Sequence, residues 1–502
     1  MNKRFITQII FLLVAIFSLC NCYDDKGNYD YKELTSLQID TTGIKAQQTA
    51  YQFENFKVPV DVKYAGNKED LSYEWKIYPQ VPQKDEDVTK YDSAVVLYTK
   101  AVFDTIIYEI PGAYYLTLTV TDHLQNIQEA FTLKLNVETL VSRGLCVMDE
   151  NNGIYDLHLI KSAKLLPDIL ESDEQTYYHV YSGVNDLEIT DGKFLGFVSV
   201  DAATDNKALY FFTETGGVTL DIDTYEIMSS DYPSWFSFPM SITPAPGAFM
   251  VTSRPIEMLI NNGLVYVWDH TSMGVTTFGD RLNGDYEAAP YLPRISTSTF
   301  STVIFDKKNK RFAPINIFGS QVGEFESTAS GEFDLDDIGA SKELKFMDNG
   351  FNSYTYAVFY DTQTSEYALY VMDFSGTEAS PVKKYAMDNC EGINGDSYYA
   401  FGNQGNVCFY SSGSDLCQYK YASTNAGTVV HSFTGETITG IKVFKNSGHA
   451  QDGKLLIVST LTGSGEGKIY LVGFNELTGA IVDGTDKPYG GFGKIVDILY
   501  KE

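Results

Sequence analysis

The sequence predicts an all-β chain, a small N-terminal sandwich followed by a β-propeller of seven blades. Three observations lead there. First, the aromatic fraction is 14%, with 36 Tyr and 31 Phe, residue types that suit pleated, half-buried surfaces. Second, two runs, from Leu116 to Thr121 and from Phe131 to Glu138, alternate strictly between apolar and polar, the period of two of an antiparallel pair with one wet face. Third, a hairpin unit recurs through the remainder of the chain. Its clearest copy is AVFYDTQTSEYALYVMDF, from Ala357 to Phe374, an apolar run, a polar turn from Asp361 to Glu366 and a second apolar run. Related units begin at Leu145, Phe197, Glu257, Thr302, Val407 and Leu455. Their turns lie near 150, 202, 262, 307, 362, 413 and 463, so the spacings are 52, 60, 45, 55, 51 and 50. A loose period of this size, filled with strands, is the signature of propeller blades. Because Gly319 to Lys345 is weakly patterned, six and eight blades stay compatible with the count.

Within the sandwich, expected over residues 35–140, LSYEWKI places Trp75 in the core. Tyr114, Leu116, Leu118 and Val120 line one face of the next strand, with Thr117, Thr119 and Thr121 opposite. Asp122 to Gln128 form the turn, and Phe131, Leu133, Leu135 and Val137 return on the buried face. Val141 to Arg143 link this unit to the repeats over 141–502, where GVTLDI from Gly217 and GVTTFG from Gly274 read as further strands. The final strand, GKIVDILY from Gly493, can pair with the first hairpin and so close the ring; closure removes sheet edges that would otherwise template aggregation.

The N-terminus is an export leader, residues 1–21. Lys3 and Arg4 precede the apolar run Ile9 to Phe17, which is too short to span a bilayer. Cys20 and Cys22 end it, and with Leu19 three residues before Cys22 the leader resembles a bacterial lipoprotein signal. Asn21 departs from the usual Gly, Ala or Ser before the cleavage point, which leaves Cys20 as an alternative. That resemblance implies a lipid on Cys22, a tether over residues 22–34 and, through Asp24 and Asp25, placement on the outer face of the outer membrane. Net charge is −29, or −31 once Lys3 and Arg4 are removed (−29 − 2). Such a field excludes nucleic acid as a partner, since phosphate binding needs clustered Lys and Arg.

PGAYYLTLTVTD from Pro111, with the strand after it, resembles the closing hairpin of polycystic-kidney-disease (PKD) immunoglobulin-like domains, and YEWKI resembles their Trp-bearing strand. Lys76 to Pro79 stand where an Asp-Phe-Gly-Asp-Gly run often follows that Trp, so nothing that depends on that loop carries over. In layout the whole chain resembles PKD-like surface lipoproteins found beside SusC/SusD-type uptake systems. The resemblance implies an Ig-like PKD module, a transporter partner and membrane attachment through lipid only; it brings no catalytic motif and no cofactor.

Chemistry-bearing motifs are sparse. No G-x-S-x-G and no H-E-x-x-H pairing occurs, so neither nucleophilic nor zinc-protease chemistry is indicated. Asp149, Asp201, Asp306 and Asp361 recur at hairpin turns, where an Asp side chain can hold the turn's own backbone. DLDDIG from Asp334 fails as an EF-hand, because Ile338 and Lys345 stand where oxygen ligands are required. No C-x-x-C supports a metal site. A four-residue turn at Ser411 to Ser414 would set Cys408 opposite Cys417; because disulfide geometry is demanding, two buried thiols is the preferred reading and a cross-strand disulfide the alternative.

One segment stands out as a ligand platform, DYPSWFSFP from Asp231 to Pro239. Its rings do not alternate and two prolines argue for a loop; exposed rings would stack on sugars or hold peptide side chains. Tyr232, Trp235 and Phe236, with Trp268 and Tyr286 as neighbours, are the candidate ligand-binding residues, against the alternative that Trp235 and Phe236 plug gaps between blades. The expected function is non-catalytic capture of glycan or peptide for an uptake complex. A propeller glycosidase or lyase and a transporter-docking scaffold are the alternatives.

Overall fold

A computed structural model describes residues 35–80, 94–200, 205–295, 300–376 and 378–502. Cys22, the leader, the tether and Asp201 lie outside the described residues. The chain is all-β, with 52% of residues in strands and 4% in helices, so among the described residues the apolar faces of the sheets are covered chiefly by other sheets.

The N-terminal unit is a sandwich. A five-stranded sheet runs in the order Gln47–Tyr51, Ile127–Glu138, Gly112–Asp122, Leu71–Pro79, Val95–Tyr98. Two two-stranded sheets complete it, Leu37–Asp40 with Asp61–Tyr64 and Asn55–Val58 with Phe103–Ile106. Period-two reading of this region holds: Trp75, Leu116, Leu118, Val120, Leu133, Leu135 and Val137 form one buried core. The Trp75 indole N–H is satisfied inside that core by the Lys100 carbonyl at 3.0 Å.

Beyond Val141 the chain makes seven sheets in series. The first holds Gly144–Asn151, Ile154–Lys161 and Gln175–Tyr177; the second Gly192–Val200, Asn206–Thr213, Gly216–Leu220 and Ile227–Ser229; the third Pro246–Val251, Ile256–Asn261 and Leu264–Asp269. Among the described residues the fourth holds Phe300–Asp306 and Arg311–Asn316, in keeping with the weak pattern from Gly319 to Lys345, where Ser327–Thr328 instead joins the edge of the fifth sheet. The fifth is Lys342–Asn349, Thr355–Asp361, Glu366–Asp373 and Glu378–Ala386. The sixth is Tyr399–Phe401, Cys408–Ser412, Asp415–Tyr419 and Gly427–Ser432, and the seventh Glu436–Val443, Leu455–Thr462, Gly467–Phe474 and Ile481–Asp483. GVTLDI lies in a strand as expected, whereas GVTTFG does not; there only Phe278 makes an isolated bridge, to Phe236.

Hairpin chemistry explains the repeats. Asn152-Gly153 and Asn262-Gly263 form two-residue turns with φ of 55° and 82°, and 50° and 72°, the left-handed pair that matches strand twist. Asp361 holds its turn by accepting the Gln363 N–H at 3.0 Å, and Asp306 accepts from Lys308 and Asn309. Asp149 does otherwise: it is buried 2.8 Å from the His158 imidazole and accepts the Gly493 N–H.

Seven apolar cores join consecutive sheets. Phe211 and Leu159 meet between the first and second, Phe212 and Leu259 between the second and third, and Met258 and Ile304 between the third and fourth. Phe305 and Phe359, then Val358 and Phe401, then Phe409 and Val458 continue the series. The seventh core packs Ile457 and Leu471 against Val147 and Ile498 of the first sheet. Each ring so buried contributes roughly 1.5–3 kcal/mol, and the two faces of each sheet serve two different cores.

The last strand, Lys494–Lys501, pairs antiparallel with Gly144–Asn151, as the sequence led us to expect. Lys501 anchors it. Its ammonium is fully buried, donates to the carbonyls of Val141 and Ile222 and to the Tyr225 hydroxyl, and lies 4.4 Å from the Tyr225 ring centroid. Burial pushes this ammonium below its ordinary pKa. The same region receives the N-terminal unit, where Phe53 packs edge-on against Tyr108, Tyr177 and Tyr225.

Cys408 and Cys417 are two buried thiols, the reading preferred from the sequence, and the alternative disulfide is not formed. A two-residue turn at Gly413-Ser414, allowed by Gly413 at φ 61°, pairs Ser412 with Asp415, Tyr410 with Cys417 and Cys408 with Tyr419. The thiols therefore do not face each other, and Cys146, Cys390, Cys408 and Cys417 are free and buried.

Lys501→Ala should lower the unfolding free energy by about 1–3 kcal/mol, the cost of leaving buried acceptors without a donor. A denaturant titration followed by Trp fluorescence measures it; an unchanged midpoint would show that these carbonyls do not depend on the ammonium.

Candidate functional site

The loop singled out in the sequence folds as two short 3-10 turns, Tyr232–Trp235 and Pro239–Ser241. Its rings, however, point inward. Tyr232, Trp235 and Phe236 are 3%, 8% and 2% exposed and fill the core between the second and third sheets. Tyr286 is buried between the third and fourth. Their polar atoms are also spent: Tyr232 donates to Asn261 at 3.0 Å, the Trp235 indole to Ser229 at 3.1 Å, and Tyr286 to the Leu282 carbonyl at 3.1 Å while accepting the Val265 N–H. Trp268 is half-buried, stacked 4.4 Å from His270 and donating to the Val275 carbonyl. Tyr232, Trp235 and Phe236, with Trp268 at the edge, thus fill the gap between the second and third sheets, and Tyr286 fills the next one, so they form no open platform.

The structure directs attention elsewhere, to the place where the first strands of successive sheets meet. Gly192–Val200 touches both Lys494–Lys501 and Pro246–Val251; Lys342–Asn349 touches Tyr399–Phe401; Tyr399–Phe401 touches Glu436–Val443, which touches Lys494–Lys501 in turn. Two cavities lie along this line. One, of about 630 Å³, is lined by Tyr291, Lys345, Phe346, Asp348, Asp396, Tyr398, Tyr399, Thr439, Lys442, Ser459 and Asp497, among others. The second, of about 720 Å³, is lined by Phe197, Ser199, Thr252, Arg294, Lys442, Lys445, Asn446, Ser447, Tyr500 and Glu502, among others. They share Lys442, Val443, Ile457 and Ile498.

Each wall group has a structural cause. Lys442 sits at the end of Glu436–Val443 and donates to Asp497 at 2.5 Å and to the Ile498 carbonyl at 2.8 Å. Asp497 in turn accepts the Leu195 N–H at 2.8 Å, so one carboxylate ties the seventh sheet to the last strand and the second sheet. Lys445 donates to Asp348 at 2.6 Å and so joins the fifth and seventh sheets. Tyr398 presents an exposed ring at 41%. The Tyr399 hydroxyl beside it is buried with no hydrogen-bond partner among the described residues, an unmet polar group of the sort a bound molecule satisfies. Size and lining, apolar walls with a few convergent polar groups, are those of a small-ligand site.

A second cluster of titratable groups lies in and beside the first sheet. The His179 N–H donates to His158 Nδ1 at 3.1 Å. The His179 ring meets Asp156 at 2.7 Å, and Ser182 also donates to Asp156. The Asp156 contact raises the His179 pKa; burial opposes, but the His179 and Ser182 hydrogen bonds bring Asp156 below its usual value. The carboxylate stands between Ser and His, so the order is wrong for activating the hydroxyl as a nucleophile. Among the described residues no group of His, Cys, Asp and Glu could hold a metal ion, and no helix is long and apolar enough to cross a membrane.

That pair has a defined pH window. Its stabilisation is complete below the unfolded His pKa of about 6.5 and above the unfolded Asp pKa of about 3.9. It is lost as pH rises through the raised pKa of folded His179, and at the acid end as pH falls through the depressed pKa of folded Asp156. The midpoint difference between the native chain and His179→Gln should be largest near pH 6 and shrink towards alkaline pH; a difference flat with pH would contradict the pairing.

Comparison with known proteins agrees with the N-terminal reading. A family model described as "PKD-like family" matches residues 22–190, which takes in the sandwich and the first hairpin of the first sheet. No curated protein matches the chain. A quinoprotein alcohol dehydrogenase-like protein from Bacteroides thetaiotaomicron is 11% identical, aligned over 94% of this chain and 100% of its own at a TM-score of 0.49. A protein of unknown function from Bacteroides caccae is 10% identical, with 72% and 98% covered and a TM-score of 0.28. PorZ of Porphyromonas gingivalis, a surface component of the type-IX secretion system, is 11% identical, with 76% and 51% covered and a TM-score of 0.25. No activity passes to this chain from likenesses at these levels.

Proposed function

We propose that the seven sheets are the blades of a β-propeller, and that the protein is a lipid-anchored, outer-membrane surface lipoprotein that binds a glycan or peptide in the axial cavities without transforming it. What carries this reading is the pair of cavities joined through Lys442, Val443, Ile457 and Ile498 at the place where five first strands converge. Seven cores in series, the last returning to the first sheet, support a radial arrangement of the blades.

Attachment through Cys22 and service to a SusC/SusD-type uptake system rest on the leader and on the likeness of the N-terminal unit to PKD-like domains. In this arrangement the tether lifts the sandwich from the membrane, and the Phe53 contact fixes the propeller on it. Ligand capture then needs only an open cavity, an exposed ring for stacking and hydrogen-bonding groups held by ion pairs. Asp348, Asp396 and Asp497 accept hydroxyl or amide donors, Lys345 and Lys442 donate, and Tyr398 stacks.

Affinity electrophoresis of the secreted form through gels containing soluble polysaccharides or peptide mixtures tests the reading. Tyr398→Ala should weaken the affinity read from retardation about two- to tenfold, as the loss of a stacking contact of roughly 0.5–1.5 kcal/mol gives, with an unchanged melting curve. Equal retardation would remove the axial cavity as the site, and turnover of the retarded ligand would make the protein an enzyme.

A further inference from the structure

The two axial cavities differ in charge, and the difference specifies a ligand. The whole chain has 66 acidic and 37 basic residues, so any lined surface should be acidic on average. The 630 Å³ cavity obeys this, with Lys345 and Lys442 against Asp348, Asp396 and Asp497. The 720 Å³ cavity does not: Arg294, Lys442 and Lys445 face a single carboxylate, Glu502.

The cations are not equally engaged. Lys445 is 17% exposed and spends its ammonium on Asp348 and the Asn349 carbonyl. Lys442 is 52% exposed while its partner Asp497 is 14% exposed, so the ammonium faces the cavity and the carboxylate is turned towards the Leu195 N–H. Glu502 accepts from Asn446. Arg294 is exposed and makes no ion pair or hydrogen bond with any described residue. Its planar five-donor fork, matched to two oxygens of one carboxylate, is left open at the rim of a cavity that already holds a half-committed ammonium.

We infer that the axial site takes an oligosaccharide bearing a uronic acid, its carboxylate held by Arg294 and Lys442 in the larger cavity and its neutral sugars in the smaller one. This rests on the axial-site reading above. Sugar is favoured over an acidic peptide by the second cavity: Asp396 and the partly exposed Asp348 accept from hydroxyl groups but repel further carboxylates, and the exposed Tyr398 ring offers a face for a pyranose. One anionic group, not a polyanion, is what both cavities admit together.

Calorimetry on the secreted full chain decides it with three probes: a short oligosaccharide ending in one glucuronate, the same oligosaccharide with that carboxylate reduced to the alcohol, and a glutamate-ended peptide of matched length. The expected result is that the glucuronate probe binds about tenfold or more tighter than its reduced twin, that added salt erodes this advantage, and that Arg294→Gln abolishes it while leaving the reduced probe's affinity unchanged. Arg294→Lys, which keeps the charge but loses the fork, should restore only part of it. Equal binding of the two sugars, both weakened by Tyr398→Ala, would overturn the uronate inference and leave the axial site standing. Binding of the peptide alone, sensitive to Arg294→Gln, would replace sugar with an acidic peptide. Binding of none of the three would count against the axial site itself.

Discussion

The pairing of Lys494–Lys501 with Gly144–Asn151 is the contact on which the rest of the structure beyond residue 140 depends. Six of the seven cores join sheets that are neighbours in sequence, and each could form as the chain condenses locally. The core between the seventh and first sheets joins residues more than 300 positions apart, and it exists only once the last strand is in place. Closing so long a loop costs entropy that no single hydrogen bond offsets. A full ladder, the apolar contacts of Ile495 and Ile498 and the buried ammonium of Lys501 act together there. Lys501 also reaches Val141, where the N-terminal sandwich ends. Closure of the sheets and docking of the sandwich are thereby coupled through one side chain.

This arrangement assigns the aromatic residues their task. A sheet covered on both faces needs large rings at every interface, and Phe and Tyr fill those cores while Tyr hydroxyls are met by backbone carbonyls, as with Tyr419 and the Ala386 carbonyl. Trp235 and its neighbours belong to the same economy of packing. Charged groups stand beside the two cavities where the first strands of these sheets meet. There, ion pairs such as Lys442 with Asp497 and Lys445 with Asp348 brace one sheet against another and also shape the cavity. A surface built for stability is thus also the surface available to a ligand.

Much of the fold was legible in the chain. Trp75 could be placed in a core because its neighbours alternate, and the closing strand because GKIVDILY is a strand without a partner in its own repeat. Asn-Gly turns set hairpin register unaided. The Gly413-Ser414 hairpin was misread by two residues, since a glycine that accepts φ 61° permits a tighter turn than the run of serines suggests; with it went the pairing of Cys408 and Cys417. The aromatic loop was recognised as a loop, and its rings were read both as a ligand platform and as plugs between blades. Their inward direction depends on the two adjoining sheets, whose Tyr210, Phe212 and Tyr266 receive them.

By itself the sequence determined the class of structure, because period and turn chemistry are local properties that each hairpin carries in full. It determined the acidity in the same way. The tertiary structure alone decided where a ligand could sit. Arg294, Tyr398, Lys442 and Asp497 come from separate repeats and share no motif, and an apolar ring in one repeat is core or surface according to the sheet that reaches it from another.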